Sequence, residues 1–290
     1  MRQLYRGYDL LISSEIPVPG AVEIADADPA AAADIEIVLG EAALRTPERV
    51  EGSFSRAGNS LQFDAPHIAR YLCEDGRRIV VERARRARDE DVANRLVATA
   101  LPALIWMRPG ELVLHAAGAL LEGQTRLIAI AGRSGAGKST LLRGLIEQGS
   151  RVVGDDTLRI TFTRSQILAS GLPASFWLAD VLRPDYRSRS LHAVPQQKIC
   201  GSAPLGRLFL LQLPRRASQS CFQTLTQTDI IRLVMSQRHR PQAARLLNTG
   251  RVLLPLLERL TQLRAYLWHR EEGAVAVSQE EIAFLSADTA

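Results

Sequence analysis

Eight residues, Gly132-Arg133-Ser134-Gly135-Ala136-Gly137-Lys138-Ser139, follow the spacing G-x-x-x-x-G-K-[ST] in full. A run of this kind can hold a chain of phosphates. Its glycines let the backbone curl until several N–H groups point into one concavity. A helix starting just after it adds unpaired amide donors and the positive end of its dipole. Lys138 would reach the β- and γ-phosphates, and the Ser139 hydroxyl is placed to ligate Mg2+, with Thr140 beside it opening the helix. Gly132, Ser134, Gly135, Ala136, Gly137, Lys138, Ser139 and Thr140 are therefore the expected binding residues for a nucleoside triphosphate, ATP with Mg2+. The motif does not say what becomes of the phosphate.

Two adjacent carboxylates, Asp155 and Asp156, follow 17 and 18 residues after Lys138. One helix and one short strand fill that interval, and adjacent parallel strands would set the pair beside the phosphate loop. Two neighbouring carboxylates can divide labour, one orienting or deprotonating a nucleophile and the other supporting a metal. The bland alternative is a turn, where aspartate is common. His115, in Leu112-Val113-Leu114-His115-Ala116-Ala117, reads equally as a core or edge histidine of a strand.

Composition narrows the class. The 290 residues are 46% apolar and 23% charged, with a net charge of +5. These are globular values and exclude a disordered or collagen-like chain. The positive excess is diluted by 31 acidic residues, which argues against a nucleic-acid partner and leaves room for an anionic ligand. The basic side chains number 36, yet only Lys138 and Lys198 are lysines. A compact ammonium suits a nest of backbone amides better than a planar guanidinium. By the same logic Lys198 is expected to make a second phosphate or substrate contact. Cys73, Cys200 and Cys221 are far apart and form no metal or disulfide pattern, which fits a reduced cytoplasmic setting. The first residues carry no secretory h-region, and no apolar run approaches the ~20 residues of a membrane span, so no membrane association is expected.

The elements around the motifs suggest an α/β chain with two parts. Residues 1–88 read as a small strand-rich module, with runs at Ile35–Leu39, Ser60–Phe63, Tyr71–Cys73 and Arg78–Val81. Residues 89–290 read as the nucleotide-binding part. Val92, Leu96, Val97, Leu101, Leu104 and Ile105 repeat at helical spacing up to Pro109-Gly110. Strands are expected at Leu112–Leu121, Arg126–Ala131, Arg151–Val153 and Leu205–Leu213, a helix at Thr140–Gln148, and a hairpin at Leu158–Phe162 and Gln166–Ala169. Helices are expected at Thr228–Gln237, Gln242–Leu247 and Val252–Leu267. Their Leu/Ile-rich faces, with Trp268 at the end, read as core or as the surface of a homo-oligomer. The basic stretch Arg183, Arg187, Arg189 and Lys198 reads either as a clamp on phosphates or an acidic peptide, or as a solvated loop.

Three motifs together, Leu-His-Ala-Ala-Gly at 114–118, Gly-Arg-Ser-Gly-Ala-Gly-Lys-Ser-Thr at 132–140 and Val-Val-Gly-Asp-Asp at 152–156, resemble the catalytic core of the HPr kinase/phosphorylase family. More closely they resemble its HPr-kinase-related members, some encoded beside lasso-peptide genes. The resemblance implies a P-loop core of the HPr kinase/phosphoenolpyruvate carboxykinase type and ATP- and Mg2+-dependent phosphorylation of a serine hydroxyl on a peptide or small protein. It implies Asp155 as the base that activates that hydroxyl, Asp156 beside it near the Ser139 metal, and His115 close to the Asp155 carboxylate. The chain departs from the family at Thr140, where HPr kinases carry glutamate. It departs again over Gly171–Asp185, where Asp180 reads as a surface acid before it reads as a metal contact. Both departures speak against HPr itself as the acceptor. Two other readings stay open: a regulatory protein that hydrolyses or senses ATP, and a small-molecule kinase with a closed pocket. The lack of a Leu-Ser-Gly-Gly signature after the loop argues against an ABC-type ATPase.

Overall fold

A computed structural model describes residues 2–25, 32–44, 46–179, 189–213, 221–247, 250–271, 274 and 276–287. Asp180, Arg183 and Arg187, raised above as candidate contacts, lie outside the described residues. The architecture is mixed α/β, with two large sheets, one small one and few helices.

Nine strands build the first sheet: β1 (Gln3–Gly7), β2 (Leu10–Ser14), β3 (Val22–Glu23), β4 (Ile35–Leu39), β5 (Arg49–Glu51), β6 (Phe54–Ala57), β7 (Ser60–Ala65), β8 (Ala69–Glu74) and β9 (Arg78–Arg83). Their order is β3-β1-β2-β4-β9-β8-β7-β6-β5. Alternation of apolar and polar residues in β7 and β8 turns Leu61, Phe63, Tyr71 and Cys73 to one buried face. The β1–β2 hairpin closes through Tyr8 and Asp9, both with positive φ. That backbone normally announces itself with Asn-Gly, so the turn carries no sequence signal.

Between the sheets runs a helical segment: α1 (Asp89–Arg95), one π-helical stretch (Leu96–Ala100) and α2 (Leu101–Trp106). The periodicity predicts one continuous helix here, and the break has a definite cause. Pro102 has no N–H to give to the Ala98 carbonyl, four residues back. That carbonyl instead accepts from Arg240 Nε at 2.8 Å. Every residue of α2 is buried, and one apolar cluster runs from Ile12, Ile37 and Tyr71 through Leu101 and Leu104 to Leu114 and Ala129.

The second sheet contains β10 (Leu112–Leu114), β11 (Ala116–Leu120), β12 (Leu127–Ala131), β13 (Arg151–Gly154), β14 (Leu158–Phe162), β15 (Ile167–Ser170), β18 (Ser202–Gln212), β19 (Phe222–Thr224) and β20 (Arg264–His269). Its main path is β10-β14-β15-β18-β12-β11-β13, with β20 also paired to β18 and to β19. Between these come β16 (Ser175–Ala179) and β17 (Arg189–Ala193), which form a separate hairpin. The helices are α3 (Lys138–Glu147), α4 (Gln227–Ser236), α5 (Pro241–Leu246), α6 (Gly250–Leu260) and α7 (Gln279–Ala287).

Three expectations change. The run Leu112–Leu121 is two strands, broken at His115, whose N–H donates to the Gln237 carbonyl at 2.7 Å. β12 and β13 are not adjacent: β11 lies between them, antiparallel to both. The helix expected over Val252–Leu267 stops at Leu260, and Arg264–His269 forms β20, parallel to β18. A leucine-rich run fits a buried strand as well as a helix. Here Trp268 is fully buried against Phe209 and hydrogen-bonds Glu281, so it is core and not an oligomer surface.

Candidate active site

The site gathers at one end of the second sheet, where β12, β13 and the β10–β11 break release their chains. After β12 the backbone curls through residues 132–137 and enters α3 at Lys138. Gly137, the residue before the helix, has φ of 85°, a left-handed conformation costly for any side chain. The loop and the first turn of α3 border a cavity of about 110 Å³ lined by His115, Ser134, Gly135, Gly137, Lys138, Ser139, Thr140, Asp156 and Trp177. Of the loop residues expected to bind phosphate, Ser134, Gly135, Gly137, Lys138, Ser139 and Thr140 line this cavity, and Gly132 and Ala136 do not.

Gly154 brings the carboxylates to it. A methyl group at this position would stand 2.8 Å from the Gly171 Cα, so only glycine lets β13 touch the chain leaving β15. Beyond that contact the two aspartates diverge. Asp155 turns inward, 9% exposed, and accepts from the Ser139 hydroxyl at 3.0 and 2.9 Å and from the Trp177 N–H at 3.0 Å. Burial, reinforced by repulsion from Asp156, pushes its pKa up to about 6 despite these hydrogen bonds. Asp156 has φ of 66°, and this left-handed turn sends its side chain the other way, toward His115. Burial would raise its pKa too, but its interactions with His239 and His115 and with the cations Lys138 and Arg240 outweigh that and hold it below the usual carboxylate range.

His115 sits between the two charged groups. Its Nδ1 lies 2.9 Å from the Asp156 carbonyl oxygen, which can only accept, so Nδ1 carries the proton. Its Nε2 lies 3.0 Å from Lys138 Nζ and accepts from the ammonium. The ring is therefore the neutral Nδ1–H tautomer. Burial lowers its pKa, and the pull of Asp156 does not restore it. Lys138 also donates to the Gly132 carbonyl at 2.8 Å and to that of Arg133 at 3.3 Å.

The partners differ from those expected. The motif resemblance implies His115 beside Asp155, and Asp156 beside the Ser139 metal position. The geometry reverses this: Asp155 is bonded to Ser139, and Asp156 contacts His115. The left-handed backbone at Asp156 is the cause. Lys198 also departs from expectation. Its ammonium donates to the Gly149 carbonyl at 2.9 Å, at the far end of α3 from the phosphate loop. There it satisfies a helix C-terminal carbonyl and complements the negative end of the dipole.

The loop after α4 holds residues that sequence reasoning passed over. Gln237 Oε1 accepts from the Gly132 N–H at 3.2 Å, tying the start of the phosphate loop to the β10–β11 break. His239 is buried, with its ring edge-on to His115 at 5.4 Å and its Nδ1 2.8 Å from Thr157 Oγ1. Burial lowers its pKa to about 4. Arg240 leaves by a left-handed turn toward Ala98. The only hint in the sequence is the density of polar functional groups in Gln-Arg-His-Arg between two helices.

Ser139 Oγ and the Asp155 carboxylate supply two hard oxygen donors side by side at the helix start. Mg2+ is held by one or two carboxylates with phosphate oxygens and waters completing its shell, so this pair fits it.

No family model matches the chain, and no curated protein matches it in sequence. Among solved structures, the HPr(Ser) kinase/phosphatase from Coxiella burnetii is similar at 16% identity over 39% of this chain and 76% of that one, with a TM-score of 0.30. Overlap at that score is local and decides neither the fold family nor the activity of this chain. Among the described residues no helix is long and apolar enough to cross a membrane.

Proposed function

We propose that the protein is an ATP- and Mg2+-dependent phosphotransferase built on a P-loop core of the HPr kinase type, acting on a hydroxyl presented by a peptide or small protein. One observation carries this reading: the Ser139–Asp155 pair and the Lys138–His115–Asp156 chain meet at a single pocket at the N-terminus of α3. A loose transition state needs positioning and charge neutralisation more than covalent help. Lys138 and the loop amides would hold the β- and γ-phosphates, with Lys138 giving up His115 Nε2 to do so. Ser139 and Asp155 would hold Mg2+, which neutralises charge developing on the phosphate oxygens. Asp156, ionised and open to the pocket, would face the acceptor hydroxyl, with His115 fixing its direction.

The motif resemblance to HPr-kinase-related enzymes supports serine as the acceptor. The test compares Asp156→Asn with Asp155→Asn. The first should bind Mg2+–ATP normally and lose transfer. The second should raise the Mg2+ concentration needed for half-maximal transfer. Full transfer activity in Asp156→Asn would remove it from the acceptor side.

A further inference from the structure

Tyr8 belongs to the β1–β2 turn of the first sheet, yet each of its polar groups is taken up by the second sheet and its loops. Its N–H donates to the Gly171 carbonyl at 2.7 Å, and its carbonyl accepts from Arg159 Nη1 at 2.7 Å. Arg159 is itself fixed by a two-pronged bond to Glu111, at 2.7 and 2.6 Å. The Tyr8 ring is 1% exposed. The remaining polar group, the hydroxyl, is hydrogen-bonded to Thr157, the residue after the aspartate pair. Thr157 Oγ1 lies 2.8 Å from His239 Nδ1, and the His239 ring also bonds the Asp156 backbone.

This hydrogen-bonded chain ends on the backbone that most needs holding. Asp156 has φ of 66°. A left-handed aspartate persists only where its surroundings over-determine it. The His115 ring, bonded to the Asp156 carbonyl at 2.9 Å, is one constraint. The Thr157 N–H, which donates to the Asp155 carbonyl at 2.8 Å, is a second. The Tyr8–Thr157–His239 chain is a third, and it arrives from the first sheet. Phenylalanine would fill the same space as Tyr8 without a hydroxyl to desolvate. What tyrosine adds is the bond to Thr157.

We propose that Tyr8 is a positioning residue of the active site: its hydroxyl, through Thr157 and His239, holds the left-handed turn that points Asp156 into the phosphate pocket. The first sheet is then a working part of the site and not an independent module. The effect on transfer rests on the phosphotransferase reading, whereas the effect on the turn does not.

The test uses the full chain in two measurements. The first is hydrogen exchange, read by mass spectrometry without nucleotide or acceptor. Tyr8→Phe and Thr157→Val should each speed exchange of the Thr157 amide and leave α3 unchanged. The second is transfer from Mg2+–ATP to a serine peptide. Both variants should lower kcat at least about tenfold, since small misplacements of a reacting group are that costly, with ATP affinity unchanged. Thr157→Ser, which keeps a hydroxyl, should keep most of the rate. The double variant should be no slower than either single one, because both substitutions break one chain. A wild type that transfers no phosphate would count against the phosphotransferase reading, and exchange alone would then decide the relay. Unchanged exchange at Thr157 in folded Tyr8→Phe, full kcat in that variant, a Thr157→Ser as slow as Thr157→Val, or additive losses in the double variant would each overturn it.

Discussion

Replacing Asp155 by asparagine should make the protein more stable at neutral pH, although the residue lies at the heart of the candidate site. Its pKa is raised from 3.8 to about 6 in the fold. A carboxyl group whose pKa is raised on folding binds its proton more tightly in the native state. It costs nothing below the unfolded value, and the penalty grows as pH rises to the folded value and is constant above it. A displacement of two units at 1.36 kcal/mol each puts that penalty at about 3 kcal/mol at pH 7. Asparagine carries no charge and so escapes it. Its carbonyl can still accept from the Trp177 N–H, and its amide can donate to the Ser139 hydroxyl. The bonds to the charged acceptor are already counted in that displacement, so the gain is about 3 kcal/mol, or a melting temperature about 5 °C higher. The assay is thermal unfolding of wild type and Asp155→Asn in metal-free buffer at pH 4 and pH 7.5. The gain should appear at pH 7.5 and vanish at pH 4. A destabilised variant at pH 7.5, or the same difference at both pH values, would refute the argument that Asp155 is a buried, strained carboxylate.

Three substitutions probe the scaffold around it. Gly154→Ala forces a methyl into the Gly171 backbone and should cost about 1–3 kcal/mol in denaturant unfolding, with a matching loss of nucleotide affinity. Arg240→Met leaves the Ala98 carbonyl without the donor that replaces the missing Pro102 N–H, and should cost about 2 kcal/mol, read from the same curves. Lys198→Ala removes a cation from the end of α3 and should cost under about 1 kcal/mol, leaving ATP affinity unchanged by titration calorimetry.

Features that depend on neighbours in the chain were legible in the sequence. The glycine loop, the start of α3, the hairpin of β14 and β15, and the turn between β8 and β9 each follow from local residue types. Which way adjacent side chains point was not legible. Asp155 and Asp156 stand side by side in every reading, but the left-handed backbone at Asp156, which no glycine marks, decides that one meets Ser139 and the other His115. Long-range placement was also hidden. β11 inserts between β12 and β13, and Gln237 and His239 arrive from beyond α4, contacts with no periodic signature. Lys198 was singled out by rarity alone, and rarity does not distinguish a phosphate ligand from a helix cap.

The most direct test of the central claim follows the γ-phosphate itself. The protein is incubated with γ-labelled ATP, Mg2+ and serine-containing peptides encoded beside its gene, and the products are separated by mass. The account predicts label on a peptide serine, abolished by Lys138→Ala and by Asp156→Asn. Label recovered only as inorganic phosphate, or equal labelling by the Asp156→Asn protein, would contradict it.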